Sequence, residues 1–379
     1  MERRRAIGVI FIGTAGLAVS CSTESLIFER PQKSSLEILH EVPQNGDIAS
    51  YNGQAYRIIL DKKYPIPNLE EYLEHTKQKG KHILTDTPEV RAALEKYQTG
   101  KVPTEEYVII LGDLKRNNPG GGELIGYGAG FLTEDGIPKE EIIRPKKLFT
   151  KLKSEMALSD FDEKNSVFDP WGRGRDPQKN FDSYDASDTA KDPNTSRDDL
   201  INYLEYLIEN FPLHQQNWIV DSLDGVIFTL ALIKRPDLIH AFNNLFLMSA
   251  PIRGFTPFQK GVLDLAKTQY PQLNTILRNE KVSSYLAGLW NDPNYQKQVD
   301  NLGKTFKSLN KGLMNIGSKN DPIATPELRK IEGAEEVEII SETFDIRNIL
   351  SYLDPHGAPL KSDLVVPKIR GKIGRNMAL

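Results

Sequence analysis

The sequence predicts an α/β protein built on a mostly parallel central sheet, and three stretches carry that prediction. Residues 217–254 (NWIVDSLDGVIFTLALIKRPDLIHAFNNLFLMSAPIRG) read as strand, sharp turn, helix and strand. The helical part, 226–233, is apolar on nearly every face, as a helix buried against a sheet must be. Residues 107–111 (YVIIL), bounded by Gly112, form a continuous apolar run of the kind found in a strand covered on both faces. Strand-like runs return at 313–316 and 337–340 after a helical interval, so the rhythm resumes late in the chain. A length of 379 residues suits one such domain carrying an insertion.

Taken in order, the chain opens with Arg3, Arg4 and Arg5 before an apolar run over 6–19, too short to span a bilayer and matching a secretory signal. Leu17-Ala18-Val19-Ser20-Cys21 follows, and small residues before a cysteine resemble the lipobox of bacterial lipoproteins, with Leu17 four places before the cysteine where three is usual. Cys21 is the only cysteine, so it has no disulfide partner within the chain and stands where lipidation would occur; a plain signal with an incidental cysteine is the alternative. The reading is a signal peptide over 1–20 and a polar, patternless tether over 21–45. Formal charge is −4, and without Glu2, Arg3, Arg4 and Arg5 the balance is 45 basic against 51 acidic residues, which argues against a nucleic-acid surface.

Asn52-Gly53 lies between strand-like residues 48–51 and 54–60, a strong hairpin signal expected to open the sheet. Helices are expected over 68–79 and 88–97, the second with Thr87 as N-cap and Pro88 in its first turn. The glycines at 120–122 and at 126, 128 and 130 have neither dinucleotide nor phosphate-loop spacing and read as a flexible loop. A short amphipathic helix is expected at 145–156 and a strand at 166–168. Asp192, Asn194 and Ser196 begin like a calcium loop, but Arg197 and Tyr203 occupy positions that need Gly and Glu, so no metal is expected. Ser196 with Asp199 reads instead as a capping box for a helix whose stripe is Leu200, Ile201, Leu204, Leu207 and Ile208. Residues 362–373 make a poor last helix, broken by Pro367 and Gly371.

Serine at the end of a strand, on a tight turn into a helix, is the arrangement of a nucleophile elbow. The segment around Ser222 resembles the elbow of the α/β-hydrolase family, especially its lysophospholipase and monoacylglycerol-lipase branch, where Gly-His-Ser-x-Gly-Gly precedes a helix, a Lys-Arg-Pro corner and a Leu-x-x-Ser-Ala-Pro strand. Asp169-Pro170-Trp171-Gly172-Arg173-Gly174 is similar to that family's Asp-x-x-Gly-x-Gly corner. The resemblance implies an α/β-hydrolase fold with helices on both faces of the sheet, a core over 46–254 and 311–379, and a small helical lid over 255–310. It also implies a triad in the order nucleophile, acid, histidine: Ser222; Asp321 in Gly317-Ser318-Lys319-Asn320-Asp321; and His356 in Asp354-Pro355-His356-Gly357. Oxyanion donors would be the backbone N–H groups of Leu223 and of Asp113 or Leu114, and no cofactor is implied.

This copy departs from the family pattern at the elbow. Val220 and Asp224 replace glycines that keep Cβ atoms away from a crowded, strained turn, and only Gly225 remains. Asp221 and Asp224 also bring two carboxylates beside a site where negative charge must develop, unless they turn to solvent. Two functions therefore stand open. One is an extracytoplasmic serine hydrolase of lipid-type esters, membrane-anchored through Cys21; the other is a catalytically impaired lipoprotein of the same fold that binds a lipid or protein partner.

Overall fold

A computed structural model of the chain describes residues 42–75, 83–102, 122–128, 193–261, 280–340, 356, 358–359 and 362–376. The expected signal, the tether up to residue 41, the strands at 107–111 and 166–168, the corner at 169–174 and the helix at 145–156 lie outside them, whereas residues 42–45 of the expected tether are described.

The first described elements are β1 (Ile48–Tyr51), β2 (Gln54–Ile59) and β3 (Lys62–Ile66), an antiparallel meander. Asn52 and Gly53 turn the first hairpin with φ of 50° and 77°, the left-handed pair that a tight two-residue turn requires. Leu60 and Asp61 turn the second with φ of 50° and 58°, without a glycine to announce it. After α1 (Leu69–His75), β4 (Ile83–Leu84) pairs with β1 in parallel; after α2 (Pro88–Leu94), β5 (Gln98–Thr99) pairs with β3. Thr87 caps α2 as expected, its Oγ1 accepting the Val90 N–H at 3.2 Å. The expectation that this hairpin opens the main sheet is corrected. Among the described residues β4 and β5 flank the meander, and the five strands form a sheet of their own in the order β4-β1-β2-β3-β5. Its residues alternate as a two-faced sheet must: Ile58 joins Ala49, Leu84, Val90 and Leu94 under α2, while Ile48, Ile59, Tyr64 and Ile66 join the main core.

The second sheet is parallel throughout, in the order β10-β9-β8-β7-β6, from β6 (Gly122–Gly128), β7 (His214–Asp221), β8 (Phe242–Met248), β9 (Gly312–Ser318) and β10 (Glu335–Ile339). β6 corrects the flexible-loop reading for residues 122–128, which pair with β7 from Gly122 opposite His214 to Gly128 opposite Val220, while Gly120, Gly121 and Gly130 lie outside the described residues. Here the parallel ladder with β7 overrides the low strand propensity of glycine. β7 also begins earlier than its apolar run, because its polar residues find partners inside the sheet. Asn244 donates to Asn217 at 2.7 Å, Trp218 to Gln216 at 2.9 Å and Lys311 to Gln215 at 3.3 Å.

Helices connect these strands. The α3 helix (Pro193–Asn210) precedes β7, α4 (Leu223–Lys234) joins β7 to β8, and α6 (Pro293–Ser308), after α5 (Glu280–Trp290), leads into β9. Strands added in chain order in one direction, through right-handed crossovers, put the crossover helices on one face; accordingly α3 touches α4 and α4 touches α6. α6 buries Tyr295, Val299, Leu302 and Phe306 in the main core. α7 (Pro326–Arg329) is a single turn between β9 and β10, and α8 (Val365–Asn376) packs on β8. Two helix readings change. α3 starts at Pro193, three residues before the expected cap Ser196, since proline suits a first turn that has no N–H acceptor. α8 runs through Pro367 and Gly371 because Pro367 falls in its first turn, where no hydrogen bond is lost. Among the described residues no helix is long and apolar enough to cross a membrane.

Arg57 joins the two sheets. It is 2% exposed, and its guanidinium donates to the carbonyls of Pro212 (2.6 Å), His214 (3.1 Å) and His240 (3.3 Å), all on the far side of the sheet boundary. Removing the donor strands buried carbonyls, at about 1–3 kcal/mol for each one left unsatisfied. Arg57→Met is expected to lower the unfolding free energy measured in urea by at least about 3 kcal/mol; an unchanged midpoint would show that the sheets hold together without it.

Candidate active site

β7 ends at Asp221, and Ser222 stands between it and α4 with φ 51° and ψ −120°. A residue bearing a side chain enters that region only where its surroundings force it. Here the forcing contacts are visible. The Ser222 N–H still donates to Met248 O at 2.8 Å, holding the turn to β8, while the Gly225 N–H donates back to Ser222 O at 3.1 Å and starts the helix. Gly225 is the position that admits no side chain, since a Cβ there would lie 2.5 Å from the Ala250 Cβ.

Val220 and Asp224 were expected to disturb this turn, and the structure accommodates both. Val220 is fully buried in the main core, so its side chain now fills space that a glycine would leave empty. Asp224 does not turn to solvent: it is fully buried in the first turn of α4, where the helix dipole favours a carboxylate.

Three strand ends converge on His356. Its Nε2 lies 2.9 Å from Ser222 Oγ, after β7, and its Nδ1 lies 2.9 and 3.2 Å from the two Asp321 oxygens, after β9. From the end of β8, Ser249 Oγ donates to the His356 carbonyl at 2.6 Å; Ser249 is itself fully buried, with φ 45°. The ring is thus held at both nitrogens and at its own main chain. Asp321 is 2% exposed and accepts the N–H groups of Ile323 and Ala324 at 2.9 Å each, so its carboxylate has a fixed orientation.

The electrostatics follow from these contacts. Burial raises the Asp321 carboxyl, but the adjacent His356 and the two N–H donors outweigh it and bring it below the ordinary carboxylate value. Burial likewise works against the His356 imidazolium, yet Asp321 and the charge of Asp221 outweigh burial and the opposing Arg329, leaving His356 above 6.5. An imidazole accepting from a serine hydroxyl and backed by a buried carboxylate can take that proton and return it.

The structure therefore brings together the three residues expected of a triad. Leu223 opens α4, where first-turn N–H groups have no intrahelical acceptor and are free to face an oxyanion. Asp113 and Cys21 lie outside the described residues, and the strands flanking β7 and its elbow are β6 and β8. Two contributors were missed. In the sequence Ser249 is only part of a strand-ending motif, and Arg329 stands in a polar stretch that gives no signal.

No protein-family model and no curated protein matches the chain. Among solved structures it is similar to the esterase Est1E from Butyrivibrio proteoclasticus with bound ferulic acid (14% identity, TM-score 0.41, covering 70% of this chain and 93% of that one). A thermophilic esterase from Thermogutta terrifontis aligns at 13% identity and TM-score 0.36, covering 67% and 90%. The monoacylglycerol lipase of Paleococcus ferrophilus aligns at 11% and 0.32, covering 65% and 94%. On the evidence of its own parallel sheet, crossover helices and strand-to-helix elbow, the chain has the α/β-hydrolase fold.

The raised His356 value makes a signed prediction. The charged imidazole's contribution to stability is fully present below the unfolded value and fades as pH rises through the higher folded one. In an NMR titration His356 is expected to lose its proton above pH 6.5, earlier in Asp221→Asn and earlier still in Asp321→Asn; a midpoint unmoved by Asp321→Asn would contradict the assigned pair.

Proposed function

We propose that the chain is a serine hydrolase of carboxylic esters that works through an acyl-enzyme. The reading is carried by one observation: Ser222 Oγ, His356 and the buried Asp321 stand in hydrogen-bonded line, at 2.9 Å for each link, on a strained turn. Ser222 Oγ attacks the ester carbonyl carbon as its proton passes to His356 Nε2, and the negative oxygen is met by the Leu223 N–H and a second donor, Asp113 or Leu114 on the sequence alone. The C–O bond to the alcohol then breaks, with His356 returning the proton to the leaving oxygen. Water, deprotonated by the same ring, attacks the acyl-serine, and collapse releases the acid and restores Ser222. Asp321 stays ionised throughout, fixing the tautomer and balancing the imidazolium.

Lipid-type substrates of the lysophospholipid or monoacylglycerol kind suit this reading through the amino terminus. A signal peptide over 1–20 and a lipidated Cys21 would place the enzyme outside the cytoplasm on a membrane surface, within reach of single-chain acyl esters. The second reading, a binding protein of the same fold, is favoured by one observation. Asp224 is buried in the first turn of α4, beside the proposed donor Leu223, where a carboxylate opposes a developing oxyanion.

A fluorophosphonate probe separates the two. Native protein is expected to take the label on Ser222, and Ser222→Ala to lose it with an unchanged melting curve; folded native protein that stays unlabelled sinks the enzyme and leaves the binding protein standing.

A further inference from the structure

We propose that Arg329 is a positioning residue for this site: its buried guanidinium clamps both ends of the loop that carries Asp321 and so sets that carboxylate against His356. The inference rests on the serine-hydrolase reading and concerns how its acid is held. Arg329 is the last residue of α7 and is 1% exposed. Its Nη1 donates to Ser318 O at 3.0 Å and to Ala324 O at 2.5 Å, the residues on either side of Asp321 in the turn after β9. Ser318 O also accepts the Asp321 N–H at 3.2 Å, and Asp321 Oδ1 accepts the Ala324 N–H, so the loop and the guanidinium form one closed set of hydrogen bonds.

The space for that guanidinium is made by a glycine. A Cβ on Gly317 would lie 2.3 Å from Arg329 Cζ and Nε, so β9 can pass the clamp only where it lacks a side chain. The main chain of Arg329 is fixed as well: Asn315 Nδ2 donates to Arg329 O at 2.8 Å and to Glu336 Oε1 at 2.8 Å. Among the described residues no carboxylate pairs closely with the cation. Glu338 reaches only 4.0 Å from Nη2, with a side chain 45% exposed. A cation buried on carbonyl oxygens is costly unless it serves something else, and the loop it closes holds the acid of the triad.

The position also has an electrostatic consequence. Among the described residues, Asp321, Asp221 and Arg329 act on His356 through their charge. Arg329 favours the Asp321 carboxylate and opposes the imidazolium, so it keeps His356 available as a base at lower pH. A structural bolt would hold the loop without that effect.

The test uses fluorophosphonate acylation of the full chain, measured as rate against pH, with folding checked by thermal unfolding. Arg329→Met is expected to slow acylation by about a hundredfold, the scale of a displaced catalytic group, and to move the acid limb to higher pH. Arg329→Lys is expected to slow the reaction while keeping the limb near its native position, since the charge remains. Gly317→Ala, which leaves Arg329 in the chain but takes its space, is expected to act in the same direction as Arg329→Met and decides the matter if that variant does not fold. Variants that lose stability alone, or folded variants with the native rate and native pH profile, overturn the proposal while the labelled native Ser222 upholds the hydrolase. A native protein without label removes both.

Discussion

Everything in the site depends on the conformation of Ser222. At φ 51° and ψ −120° the residue is held where a side chain is disfavoured, and such strain, about 1–3 kcal/mol, persists only because stronger contacts surround it. β8 receives its N–H through Met248, α4 begins at the next residue, and Gly225 lets that helix come close enough to Ala250 for both to hold. The same strand ends then supply the rest: Ser249 for the histidine main chain and Asp321 for the ring. Parallel strands ending on one edge of a sheet are what make such a convergence possible.

The charges around this turn divide into two groups with opposite effects. Asp321 and Asp221 favour the imidazolium, while Arg329 opposes it. Asp224, buried beside the first N–H groups of α4, gains from the helix dipole and draws on the same partial positive charge that an oxyanion would use. Val220 and Asp224, where the family pattern has glycines, therefore bear on the proposed reaction differently. Val220 is a packing residue whose reversal would open the core, whereas Asp224 acts through its charge.

The site was more legible than the scaffold around it. Ser222, Asp321 and His356 could be found because a triad imposes chain order and loop motifs on residues far apart in sequence. Their supports could not: Ser249 and Arg329 act through carbonyl oxygens, which leave no mark on residue type. In the scaffold, β6 was hidden by its glycines, and β7 by the polar residues 215–217, whose hydrogen bonds inside the sheet are visible only once neighbouring strands are placed. The hairpin at Asn52 and Gly53 was legible because glycine at positive φ has a sequence signature, while Leu60 and Asp61 make the same turn without one. That the meander forms its own sheet was a question of which edges are occupied, which periodicity cannot express.

The most direct measurement is the covalent intermediate itself. The protein mixed with an activated medium-chain acyl ester and quenched in acid within the first turnover is expected, by peptide mass spectrometry, to carry the acyl mass on Ser222, with release of one equivalent of alcohol in the initial burst. Hydrolysis without an acyl group on Ser222, or a folded protein with neither burst nor adduct, would contradict the account.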